Sequence, residues 1–147
     1  MEKKDLKPAG VFKYFEEICQ VPRPSKKEEK MIAYLKAFGA KHNLETKVDE
    51  AGNVLIKKPA TPGKENLQTV VLQSHIDMVC EKNNDVQHDF LTDPIETEID
   101  GEWLKAKGTT LGADNGIGVA TELAILADDS IEHGPLECLF TVDEETG

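Results

Sequence analysis

The sequence predicts an α/β domain in which a mixed, largely parallel sheet is flanked by helices. Three observations predict it. Two early segments carry apolar residues at helical spacing. Two later segments, Thr69-Val-Val-Leu-Gln73 and Leu136-Glu-Cys-Leu-Phe-Thr-Val142, are short apolar runs suited to buried strands. A third helical segment lies between those strands, and alternation of this kind favours a sheet covered by helices.

The first helix is expected over about Pro8 to Gln20, because Val11, Phe15 and Ile18 share one stripe. Val21-Pro-Arg-Pro24 ends it, since proline cannot donate to the helical ladder. Ser25 followed by Glu28 reads as a capping box opening a second helix, with Met31, Leu35 and Phe38 on its buried face and a frayed end over Gly39 to Asn43. The period then changes to two. Glu45 to Val48 and Asn53 to Lys57 read as a hairpin around Ala51-Gly52-Asn53. Ile95 to Ile99 and Trp103 to Lys107 read as another, around Asp100-Gly101, with Trp103 as a packing residue. Gly116 to Leu126 is expected to be helical after a glycine-rich turn.

The 147 residues suffice for one domain with a core. The formal net charge of −11 argues against nucleic acid and against anionic membrane surfaces as partners. It is compatible with divalent cations, which offset repulsion between carboxylates. No charged-then-apolar leader and no membrane-length apolar run is present, and the three cysteines, Cys19, Cys80 and Cys138, are few and scattered. A reduced, cytoplasmic setting is the expectation.

Chemistry concentrates in three segments at strand ends or in the glycine-rich turn. Ser74-His75-Ile76-Asp77-Met78 follows an apolar strand, and in extended backbone His75 and Asp77 face the same side. A carboxylate on one ring nitrogen fixes the tautomer that a metal-ligating histidine needs, although a strand-end histidine beside a surface aspartate gives the same pattern. Thr110 to Gly118 places Asp114 among three glycines. Its carboxylate could bridge two cations or simply cap the next helix; a phosphate cradle is disfavoured by the glycine spacing and the lack of a lysine. Asp143-Glu144-Glu145 crowds three acids onto the end of an apolar strand; they repel one another unless protonated or bound to cations, and a solvated acidic loop is the plainer alternative, which must then explain why the run caps a buried strand. Together the segments offer the nitrogen and oxygen ligands zinc accepts. His42, His88 and His133 read as surface or loop histidines.

These segments resemble the successive motifs of the two-zinc dipeptidase and aminoacylase superfamily, most closely the aminoacyl-histidine (Xaa-His) dipeptidases. Phe15-Glu-Glu-Ile-Cys-Gln-Val-Pro-Arg-Pro-Ser25 and Gln73 to Asn83 carry the same resemblance. It implies that His75 ligates one zinc, Asp77 steadies His75, Asp114 bridges two zinc ions ahead of a cis Asp114–Asn115 bond, Glu144 is the general base and Glu145 ligates the second zinc. Cobalt or manganese are acceptable substitutes for zinc, and a small peptide is the implied substrate. A related amidohydrolase acting on N-acyl amino acids or tripeptides would share these motifs. The resemblance further implies that residues 1–147 are the N-terminal part of a catalytic domain. The remainder of that domain, two later ligands (an acid and a histidine) and a lid domain able to mediate a homodimer would lie outside it. Two protein ligands per zinc fall short of the usual three, so the isolated chain is expected to bind zinc weakly and to leave dipeptides intact.

Overall fold

The computed structural model describes residues 1–147. A short 3-10 turn at Lys3–Asp5 leads into helix α1 (Ala9–Cys19), followed by α2 (Glu29–Lys41), strands β1 (Glu45–Val48), β2 (Val54–Lys58), β3 (Val70–His75), β4 (Thr97–Asp100) and β5 (Trp103–Ala106), helix α3 (Ala113–Ala127) and strand β6 (Leu136–Thr141). The main sheet runs β1-β2-β6-β3, and β4-β5 form a separate hairpin. Both hairpins expected from the turn residues are present, with Glu45 opposite Lys57 and Asp100 opposite Trp103.

The mixed α/β arrangement is the expected one, with a smaller parallel share than expected. β3 and β6 are parallel, whereas β1–β2 and β2–β6 are antiparallel. β6 is inserted between the older strands, and this places the end of β3 beside the end of β6, with His75 opposite Thr141.

The core lies between the sheet and the helices. Phe15 and Ile18 of α1, Val119 and Leu123 of α3, Met31 and Leu35 of α2, and Val54, Ile56, Cys138 and Phe140 of the sheet are all fully enclosed. Each large side chain of this kind contributes about 1.5–3 kcal/mol through loss of apolar surface from water. Tyr14 meets Phe38 edge-on, with centroids 5.6 Å apart, and so joins α1 to α2. Lys58 is half-buried at the other end of α3, where its ammonium donates to the carbonyls of Leu126 and Asp128 at 3.0 and 3.2 Å. A cation is favoured at a helix C-terminus, where carbonyls lack helical partners.

Four local expectations are corrected. The second helix begins at Glu29, not at Ser25, because the Ser25 hydroxyl donates to Asp77 Oδ2 at 2.6 Å and no capping box forms. β3 is an edge strand rather than one buried on both faces: Val70 and Val71 are 50% and 56% exposed, since only β6 pairs with it. Trp103 is 76% exposed, so the hairpin does not pack through its indole. His42, His88 and His133 are half-buried; the first two lie against Phe38 and Phe90, and His133 Nδ1 donates to the Gly134 carbonyl. The three cysteines are unpaired, as expected. Burial pushes the Cys19 and Cys138 thiols up to about 12, which keeps both protonated and unreactive. No helix is long and apolar enough to cross a membrane.

Candidate metal centre

His75 is the last residue of β3 and is only 6% exposed. Its two ring nitrogens face different surroundings. Nδ1 lies 3.1 Å from the Asp77 carbonyl and 3.3 Å from Asp77 Oδ1, both acceptors, so Nδ1 carries the hydrogen. Nε2 points outward, 2.9 Å from Asp114 Oδ1 and 3.7 Å from Glu144 Oε2. Burial opposes charging of the imidazole, but the Asp114 hydrogen bond and the Asp77 and Glu144 charges outweigh it and raise its pKa.

Asp77 is wholly enclosed. Burial penalises its carboxylate, yet the Ser25 hydroxyl and the backbone N–H groups of Glu144 and Glu145, at 3.0 and 3.1 Å, hold it below the usual range. One carboxylate thus anchors both the His75 ring and the acidic turn.

Asp114 stands at the start of α3, where Gly112 takes a left-handed φ of 75° and the backbone at Asp114 and Asn115 departs from helical values. The Asp114–Asn115 bond is cis, as the resemblance implied. The capping role that Asp114 might have had falls to its neighbour: Asn115 Oδ1 accepts the Gly118 N–H at 3.2 Å. Asp114 is thereby released from capping, and its carboxylate, 86% exposed to solvent, lies 2.9 Å from His75 Nε2.

The acidic turn after β6 completes the group. One donor atom from each of His75, Asp114 and Glu145 lies within 4.8 Å of the other two. Asp143 is turned away; it accepts from Thr146 and pairs with Lys26 at 2.9 Å, so it supports the turn. One imidazole nitrogen with a fixed hydrogen on its far side, converging with two carboxylates, is a donor set suited to a divalent cation such as zinc.

Two residues of the loop before α2, expected as a capping box, serve this site instead. Ser25 holds Asp77, and the enclosed Glu28 accepts the Asp143 N–H at 2.8 Å. A Ser-x-x-Glu pair three residues apart is also the signature of a capping box, and local pattern alone cannot separate the two uses.

No family model matches the sequence. The chain is 52% identical over 146 residues to the cytosol non-specific dipeptidase of Escherichia coli, covering 99% of this chain and 30% of that protein. Its structure superposes on that of aminoacylhistidine dipeptidase from Vibrio alginolyticus with a TM-score of 0.96 and 54% identity, covering all of this chain and 30% of that one. A Bacillus subtilis protein described as a dinuclear metal-binding peptidase shares the fold, with a TM-score of 0.56 at 13% identity over 92% of this chain and 35% of its own. The chain spans about 30% of the length of these first two relatives. Along its whole length the chain is similar, in sequence and in fold, to the aminoacylhistidine and non-specific dipeptidases.

Proposed function

We propose that residues 1–147 form part of the catalytic domain of a metal-dependent dipeptidase that hydrolyses small dipeptides, including those of the Xaa-His type. The observation that carries this reading is the convergence of His75, Asp114 and Glu145 within 4.8 Å, from strand end, helix start and acidic turn. The substrate class is supported by the named activities of the two relatives that are more than 50% identical.

In this reading His75 Nε2, Asp114 and Glu145 would hold divalent cations, zinc with cobalt or manganese as substitutes. Such cations supply carbonyl polarisation and water activation when bound. Asp77 keeps the His75 hydrogen on Nδ1, so that Nε2 presents its lone pair. Glu144 stands beside His75 Nε2 with an exposed carboxylate and acts as general base, taking a proton from water and delivering it to the leaving amine. With three ligating residues here, further ligands come from the remainder of a longer catalytic domain; a lid domain, through which the protein dimerises, belongs to that longer polypeptide too. The setting is cytoplasmic, in keeping with unpaired thiols and with the cytosol location in one relative's name.

The test uses a polypeptide that continues this sequence to the length of its relatives, assayed on a panel of Xaa-His and other dipeptides, tripeptides and N-acetyl amino acids. Dipeptide turnover should vanish with a chelator and return with zinc. Glu144→Gln should lower kcat by about 100-fold or more. Turnover indifferent to both treatments, or confined to N-acetyl amino acids, would remove the reading. The 147-residue chain alone should show no turnover.

A further inference from the structure

Arg23 is the one charged side chain of the Val21-Pro-Arg-Pro24 segment, and it is only 2% exposed. Its hydrogen bonds go to neutral backbone atoms. Nη1 donates to the Ile76 carbonyl at 3.0 Å, and Nη2 donates to the Gly112 carbonyl at 2.7 Å. Its own carbonyl accepts the Met78 N–H at 3.1 Å, and Pro24 bridges Met78 in parallel fashion. Burying a guanidinium is costly, and carbonyl hydrogen bonds recover only part of that cost, so its retention in a core calls for a reason beyond stability.

The glycines of the Asp114 turn supply a second, independent observation. A Cβ at Gly112 would lie 2.6 Å from Arg23 Nη2, and a Cβ at Gly116 would lie at the same distance from the same atom. Gly112 and Gly116 bracket Asp114 and Asn115 on both sides. The guanidinium therefore fills the space that two missing side chains leave. The glycine-rich turn is wrapped around an arginine, which accounts for its spacing without any phosphate.

The two carbonyls that Arg23 holds sit next to the ligating residues. Ile76 follows His75 directly, and Gly112 precedes Asp114 by two positions. The planar fork of a guanidinium fixes both the separation and the relative orientation of its two acceptors, which a lysine ammonium does not do. We propose that Arg23 is the positioning residue of the metal centre: by bonding Ile76 and Gly112 from one fork, it sets the spacing of His75 and Asp114 and so the geometry their cation meets. This rests on the metal-site reading above.

The experiment uses the full 147-residue chain and cobalt(II) alone, followed by its visible absorption, with His75 ring nitrogen signals recorded by NMR without metal. Arg23→Lys keeps the charge and stem but loses the fork. It should weaken cobalt binding at least tenfold and change the shape of the absorption band. Gly116→Ala, which displaces the guanidinium instead of replacing it, should act in the same direction, and it carries the test if Arg23→Lys does not fold. Lys58→Met removes another cation that bonds backbone carbonyls, half-buried at the far end of α3. It should lower the unfolding midpoint and leave cobalt affinity unchanged. Wild-type cobalt affinity and band shape in folded Arg23→Lys would overturn the proposal, as would equal weakening by Lys58→Met. A wild-type chain that shows no cobalt band counts against the metal-site reading instead. Arg23 is then judged on the His75 Nε2 signal, whose hydrogen-bonded position should be lost in Arg23→Lys; an unmoved signal overturns the proposal.

Discussion

The Asp77 carboxylate accepts the backbone N–H of Glu144 at 3.0 Å while its other contacts steady the ring of His75, so the strand end and the acidic turn share one anchor. An asparagine there has a single acceptor oxygen, and its amide nitrogen would face N–H groups. Asp77→Asn should weaken cobalt(II) or zinc binding by about 10–100-fold. Calorimetric titration of the folded variant measures this, and an affinity within a factor of two of wild type would show that the anchor is dispensable. Ser25→Ala removes one of the four contacts and should cost about 1 kcal/mol in urea unfolding.

Glu122 of α3 is 4% exposed and faces Ser74 and Cys138; burial pushes its carboxyl up to about 7. The folded pKa lies above the unfolded value of 4.5, so the folded state binds the proton more tightly. Stability from this group is full below about pH 4.5, declines as pH rises toward 7, and levels off above it. The decline should amount to about 3 kcal/mol. Glu122→Gln should flatten the unfolding free energy between pH 5 and pH 8. Parallel pH curves for variant and wild type would contradict this.

Gly39 of α2 faces Thr46 of β1 so closely that a Cβ would overlap the threonine side chain. Gly39→Ala should destabilise the chain by about 1–3 kcal/mol despite alanine's better helix propensity. Thr46→Ala in the same chain should recover part of the loss in chemical denaturation; a stabilised single variant would refute the clash.

Val70 and Val71 lie exposed on β3, whose outer edge has no partner strand. Unpaired apolar edges recruit other strands. The 147-residue chain should self-associate as its concentration rises, and Val71→Lys should suppress this in sedimentation velocity runs. Association unaffected by that charge would place the contact elsewhere.

Much of this architecture is legible along the chain, and the illegible parts share one cause. The Val11, Phe15 and Ile18 stripe and the Asp100-Gly101 turn are set by neighbours within a few residues, and both elements form where the pattern puts them. His75, Asp114 and Glu145 announce themselves by residue type, and the structure gathers them. Ser25 is misjudged because its hydroxyl serves Asp77, 52 positions away. Glu28 is likewise read as a capping residue and Arg23 is given no role, because their partners are backbone atoms 53 to 115 positions distant, which leave no trace in side-chain pattern. β3 looks doubly buried because an apolar run records composition, whereas exposure depends on which strands lie alongside.

β6 follows β2 and β3 in the chain, yet it occupies the slot between them. A nascent chain halted before Leu136 would hold His75 and Asp114 without the ledge that orders Glu144 and Glu145. Bringing Glu145 beside His75 and Asp114 therefore waits on contacts such as that between Asp77 and Glu144, 67 positions apart, and contacts so distant along a chain form slowly.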